Sequence, residues 1–220
     1  MQKKYQVFVS STYLDLKEER ASAVQCLMDN NCIPVGMEQF PASGMSQKEY
    51  IRKLLDDCDC CVLIVAGRYG TIDEESGISY TEWEFDCATS LGIPILCFLV
   101  KNIDDLPRKY CEDSVEKAEK LQAFREKIIH SNRLVKWYSN MHSLKAEIAT
   151  SINHCINTIP MRGWVRGPVA SEPDEQLYTK QEISQIVKQE VQRNMDAKPK
   201  WSAGTTPPDN MKNGDFFFQI

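Results

Sequence analysis

The chain has 220 residues, 42% of them hydrophobic, with a formal net charge of −5. That is apolar material for one ordinary domain core plus an appendage, and the acidic balance argues against a partner that is nucleic acid, which calls for a basic face. The start, Met1-Gln2-Lys3-Lys4, runs straight into a strand-like segment without the apolar region of a leader. No stretch reaches the roughly 18 apolar residues of a membrane span, so a cytoplasmic protein with no membrane partner is expected.

In chain order, residues 5–9 (Tyr-Gln-Val-Phe-Val) are a short β-rich run. Residues 13–30 have helical spacing, which places Leu14, Ala21, Val24 and Met28 inward. Residues 32–35 form a weaker strand, and residues 47–58 a helix with Tyr50, Ile51, Leu54 and Leu55 inward. Residues 60–66 are apolar without alternation, the mark of a strand covered on both faces. A helix over 80–91 leads to a second continuous apolar strand over 93–100. A helix over 111–131 carries Val115, Ala118, Leu121, Phe124 and Ile128. Residues 134–138 form a strand whose central Lys136 suits an edge. A last helix over 141–159 has Leu144, Ile148, Ile152, Cys155 and Ile156 on one stripe.

Five strands alternating with five helices imply an α/β fold with helices on both faces of a parallel sheet. Right-handed crossovers favour a doubly wound sheet in the order 2-1-3-4-5. Ligands then bind outside the carboxyl ends of the strands, where the winding reverses between strands 1 and 3. The loops that matter are residues 10–15, 36–44 and 67–79. The domain is expected over 1–159. Residues 160–177, with Pro160, Gly163, Gly167, Pro168 and Pro173, read as a linker. Residues 178–195 form an amphipathic helix with Ile183, Ile186, Val187 and Val191 on a stripe, docked on the domain or serving as an oligomeriser. The tail, 196–220, has a hairpin-type turn signal at Asn213-Gly214 and an apolar end, Phe216-Phe217-Phe218-Gln219-Ile220, that needs a partner surface. A homo-oligomer is the corresponding expectation.

Most of the nine cysteines (Cys26, Cys60, Cys61, Cys87, Cys97 and Cys155 among them) lie in apolar runs, where a free thiol acts as a small hydrophobe. Neither Cys58-Asp59-Cys60-Cys61 nor the histidines His130, His142 and His154 have a metal-ligand spacing, so no metal is expected. No nucleophile–base arrangement is evident, and no GxxxxGK[ST] is present.

Gly67-Arg68-Tyr69-Gly70 follows a buried strand directly. Its glycines would let backbone approach a ligand, and Arg68 would hold a phosphate or carboxylate; the plainer reading is a strand-to-loop turn with Arg68 solvated. Ser10-Ser11-Thr12-Tyr13-Leu14-Asp15 leads from the first strand into a helix, where hydroxyls and amides favour an anion; capping by Thr12 with Asp15 is the plainer reading. Glu38 and Phe40 read as ordinary loop residues. Three acids crowd the segment from Ser79 to Ala88. Ser79 with Glu82 fits a capping box, which gives Glu82 a structural task. Glu84 shares one face with Tyr80, Cys87, Ala88 and Leu91, all apolar or aromatic. A carboxylate in that inward stripe requires an ion-pair partner such as Arg68, a solvated cleft or a catalytic task.

The run from Val7 to Arg20 (Val-Phe-Val-Ser-Ser-Thr-Tyr-Leu-Asp-Leu-Lys-Glu-Glu-Arg) resembles the start of a family classed as a domain of unknown function. The likeness continues through Pro34-Val35-Gly36-Met37-Glu38, Gly67-Arg68-Tyr69-Gly70 and Gly77-Ile78-Ser79-Tyr80-Thr81-Glu82. That family is found ahead of NACHT-type signalling ATPases in bacteria and in some large animal WD-repeat and telomerase-associated proteins. It is similar to TIR domains and to nucleoside 2-deoxyribosyltransferases. In the latter a catalytic Glu precedes a small-residue helix and Gly-x-Pro, matched here by Glu84, Ala88 and Gly92-Ile93-Pro94. In NAD-cleaving TIR domains the catalytic Glu lies four residues after a Trp, a position held here by Tyr80.

The resemblance implies a flavodoxin/TIR-like sheet and N-glycosidic chemistry on a nucleotide, in the first instance NAD hydrolysis in bacterial antiphage defence or signalling. Glu84 would be catalytic. Ser10, Ser11, Thr12, Asp15, Gly67, Arg68, Tyr69, Gly70 and Tyr80 would hold the nucleotide. No resident cofactor is implied, since NAD or a related nucleotide is the substrate. The other expectation is a non-enzymatic adaptor or nucleotide-sensing oligomerisation module, with a signalling ATPase as partner.

Overall fold

Strand β3 (Cys60–Val65) is buried along its whole length, and β4 (Ile95–Val100) nearly so. Strands this apolar demand cover on both faces. In the computed structural model, which describes residues 3–37, 44–167 and 180–196, they lie at the centre of a parallel sheet. With β1 (Tyr5–Ser11), β2 (Cys32–Val35) and β5 (Val135–Tyr138), the strand order is β2-β1-β3-β4-β5. The doubly wound order expected from the sequence is the order found. Pro34 falls in β2, an edge strand, where a missing N–H is tolerated.

The pleat sorts alternate residues into two cores. Val7, Val9, Val62, Ile64 and Phe98 pack under α1 (Lys17–Asp29) and α5 (Met141–Thr158). Phe8, Cys61, Leu63, Cys97 and Leu99 pack under α2 (Gln47–Asp56), α3 (Tyr80–Ser90) and α4 (Val115–Ile129). All nine cysteines are free thiols, and eight of them are buried.

Two helices differ from their sequence reading. Strand β1 runs on to Ser11, and α1 begins only at Lys17, so the helical phase is set later than Tyr13. Leu14, Ala21 and Met28 therefore face solvent, and Arg20, Ala23, Cys26 and Leu27 form the buried side. In α4 the first turn is a capped, solvated turn in which Ser114 Oγ accepts from Lys117 N at 3.5 Å. Val115 and Ala118 are exposed, and the inward stripe starts at Leu121. The connection from β4 to α4 also contains two short 3-10 turns, Ile103–Asp105 and Arg108–Tyr110, that carry no apolar pattern.

After α5 the backbone returns to the amino end of the sheet. Lys4 and Trp164 exchange backbone hydrogen bonds of 2.9 and 2.6 Å, and Gly163 N donates to Asp59 Oδ1 at 2.8 Å. One compact unit thus extends over Met1–Gly167. The second unit contains α6 (Lys180–Asp196), in which Val187 and Val191 are exposed. Glu38, Phe40 and the tail over 197–220, with its expected hairpin, lie outside the described residues. Among those described, no helix is long and apolar enough to cross a membrane.

Ile64, fully buried in β3, and Leu14, 71% exposed, test this assignment together. Ile64→Ala is expected to lose about 2–5 kcal/mol of stability, read as a lower urea midpoint at constant slope. Leu14→Ala should stay within about 0.5 kcal/mol of the parent.

Candidate functional site

Winding reverses between β1 and β3, and the loops leaving their carboxyl ends separate there. The last residues of β1 are Ser10 and Ser11, and the pleat sends their hydroxyls to opposite faces. Ser10 Oγ donates to Glu84 Oε2 at 2.5 Å, with both residues buried. Ser11 Oγ donates to Thr12 O at 2.7 Å and accepts from the buried Arg20 Nη1 at 2.9 Å. Glu84 stands on the inward face of α3, where the periodicity places it, and is 1% exposed.

Above these residues lies a cleft of about 350 Å³. Of the sequence-predicted residues, Ser11, Thr12, Asp15, Arg68, Gly70 and Tyr80 line it. Ser10 and Glu84, bonded to each other, do not line it. Gly67 and Tyr69 support the loop from behind. A Cβ on Gly67 would meet Tyr110 O at 2.5 Å, so only glycine fits against that 3-10 turn. The buried Tyr69 ring packs edge-on against Phe124, with 6.4 Å between centroids. Gly70, at φ +96°, adopts a backbone conformation disfavoured for other residues and abuts the Thr12 methyl.

Arg68 is held at its tip, where Nη2 donates to Lys109 O at 2.7 Å. Two cleft residues escape the sequence reading. Glu112 Oε1 accepts from Tyr69 N at 2.7 Å and from Gly70 N at 3.2 Å. Lys117 Nζ donates to Gly70 O at 3.3 Å. Both are brought to the site by the irregular β4–α4 connection and the first turn of α4, and no local motif announces them. The capping box at Ser79 is half formed. Ser79 Oγ accepts from Glu82 N at 3.2 Å, but the Glu82 carboxylate reaches across to Tyr69 Oη at 2.5 Å and Lys127 Nζ at 2.9 Å. Burial, followed by the Glu82 carboxylate, pushes the Tyr69 phenol up to about 12.

Two acids line the cleft, and while Glu112 is engaged by backbone amides, Asp15 is not. It is 7% exposed, and both carboxyl oxygens lack a hydrogen-bond partner among the described residues, as does the buried Thr12 Oγ1. Burial pushes its pKa above the ordinary 3.8. The Thr12 hydroxyl and the residue's own amide, close to the carboxyl although neither meets hydrogen-bond geometry, act the other way together with Arg68, and the Glu112 charge adds to the rise. The arrangement therefore offers hydroxyls, two cations and one unsatisfied acid to a small polar ligand, in a volume typical of such sites.

A raised folded pKa means that the native state holds an extra proton between 3.8 and that higher value. Stability falls as pH rises through that window and stays lower above it. Asp15→Asn should accordingly raise Tm at neutral pH, and the gain should vanish near pH 3, below both values. Thermal melts of the two proteins across pH check this.

Among solved structures, the TIR domains of the activated Roq1 resistosome that directly recognises the pathogen effector XopQ are similar at 12% identity, with 84% of this chain and 99% of that chain covered and a TM-score of 0.39. A single-residue mutant of a flavo di-iron protein from Thermotoga maritima is similar at 16% identity over 70% of this chain and 36% of its own, with a TM-score of 0.38. No curated protein matches the chain. Over residues 6–153 the sequence matches the model of a domain of unknown function, DUF4062, and the chain belongs to that family.

Proposed function

We propose that the cleft between β1 and β3 binds a nucleotide and that N-glycosidic cleavage, of NAD in the first instance, is the reaction it serves. The observation that carries this is the cleft's position and lining. It opens at the reversal of a doubly wound sheet, where such folds bind nucleotides, and it combines Thr12, Asp15, Arg68 and Lys117 in one wall. Cleavage passes through an oxocarbenium-like ribosyl centre, which a neighbouring carboxylate stabilises or attacks. Glu84 has this role in the proposal, acting on the ribosyl centre once Ser10 Oγ turns away from Oε2. The resemblance to TIR domains and deoxyribosyltransferases supports the assignment. Service in bacterial defence or signalling, self-assembly and partnership with a signalling ATPase belong to the same proposal.

A second reading is favoured by one observation, the burial of Glu84 beneath Ser10. It makes the domain a nucleotide-sensing adaptor that binds without cleaving. Incubation of the full chain with NAD, read by mass spectrometry beside Glu84→Gln, separates the two. Cleavage predicts product from the parent protein and a loss of about 100-fold or more in the variant. NAD binding without product from either protein identifies the adaptor, and turnover unchanged by Glu84→Gln removes Glu84 from the chemistry.

A further inference from the structure

Burying a carboxyl group without a hydrogen-bond partner costs free energy, and Asp15 does so on both oxygens. The groups around it relieve only part of that cost, since burial outweighs the Thr12 hydroxyl, the residue's own amide and Arg68. Arg68 projects from the loop after β3 but is directed at Lys109 O. Lys117 of α4 is directed at Gly70 O. Glu112, from the β4–α4 connection, accepts from the Tyr69 and Gly70 amides. Glu19 of α1 and the buried Tyr138 of β5 feel the Asp15 charge and are themselves shifted upward, burial being the main cause for each. A cationic ligand is a poor complement, because Arg68 and Lys117 share the wall with Asp15.

The group that suits two adjacent acceptor oxygens is a pair of adjacent hydroxyl donors. The unpartnered Thr12 Oγ1, in the same wall, adds a third contact able to donate or accept. We infer that Asp15 determines specificity by accepting both hydroxyls of a ribose cis-diol, so that the site takes ribonucleotides and rejects their 2′-deoxy counterparts. The inference rests on the nucleotide reading of the cleft and narrows it. It also separates this chain from enzymes that handle 2-deoxyribosyl groups. NAD and free ribonucleotides share the diol, so binding alone does not distinguish them. Ionised Asp15 accepts two hydroxyls where the protonated acid accepts fewer, so ribonucleotide affinity should fall as pH drops toward the raised Asp15 pKa. Arg68, Lys117, Glu112, Glu19 and Tyr138 are the charged or titratable groups around it.

The test is calorimetric titration of the full chain with NAD, AMP and 2′-deoxyAMP, repeated with Asp15→Asn and Asp15→Ala. The parent protein should prefer AMP to 2′-deoxyAMP by about 10-fold or more, the size expected when a buried polar group is left unpaired. Both variants should lose that preference by binding AMP more weakly while holding 2′-deoxyAMP as before. Asp15→Asn should melt no lower than the parent, which separates loss of recognition from loss of fold. Equal affinity of the parent for AMP and 2′-deoxyAMP, or a preference that survives in both variants, overturns the inference and leaves nucleotide binding standing. If none of the three nucleotides binds the parent, both the inference and the nucleotide reading fall. Tighter binding of NAD than AMP, with the Asp15 dependence retained, identifies the dinucleotide as the source of the diol.

Discussion

The parallel pairing of β1 with β3 is the constraint on which the site depends. Its register sets Ser10 opposite Leu63 and Ser11 opposite Ile64, at the carboxyl end of the sheet. From there the chain leaves β1 toward α1 on one face, and leaves β3 toward α3 on the other. The divergence opens the cleft, and the pleat then decides which hydroxyl meets which partner. Ser10 turns to Glu84 and Ser11 to Arg20. A slip of one residue would exchange these partners and place both polar contacts in the wrong core.

The loop after β3 shows how much of an apparent anion site is already satisfied from within. Successive amides at Tyr69 and Gly70, with Gly70 at positive φ, form the kind of backbone concavity that binds anions. Glu112 fills it with the protein's own carboxylate. Gly67 is closed against Tyr110, and its carbonyl accepts from Glu112 N at 3.0 Å. The loop is thereby fixed to the β4–α4 connection. Among the described cleft-lining side chains, the buried atoms left without a hydrogen-bond partner are Thr12 Oγ1, both Asp15 oxygens and Arg68 Nε.

Legibility in the sequence follows local pattern. Strands β3 and β4 are readable because a continuous apolar run has few other interpretations. Glu84 is readable because one carboxylate interrupts an otherwise apolar helical face, and the structure buries it there. The phase of α1 differs from the sequence reading because Tyr13 and Leu14 extend the apolar spacing into what is a loop. Glu112 and Lys117 are illegible for a different reason. They reach the loop after β3 from 42 and 47 residues away along the chain, through turns without periodicity. Asp15 is visible as a cleft candidate, but its sequence neighbourhood fits a cap equally well. Only the unpartnered state of both its oxygens distinguishes it.

Hydrogen bonding and access to the cleft separate the two acids. Glu84 is sealed but has a hydroxyl partner, and such a group is tolerated in a core because its hydrogen bond offsets part of the desolvation. Asp15 is nearly as buried, yet its oxygens have no partner among the described residues and its wall is open to the cleft. Stability alone would favour replacing Asp15 by a neutral residue, and groups retained against stability concentrate where function requires them. Asp15 lines the cleft, whereas Glu84 does not and is bonded to the Ser10 hydroxyl. Under the proposed function recognition falls to Asp15 and reaction to Glu84, and the Ser10 hydroxyl is bonded to the second of them.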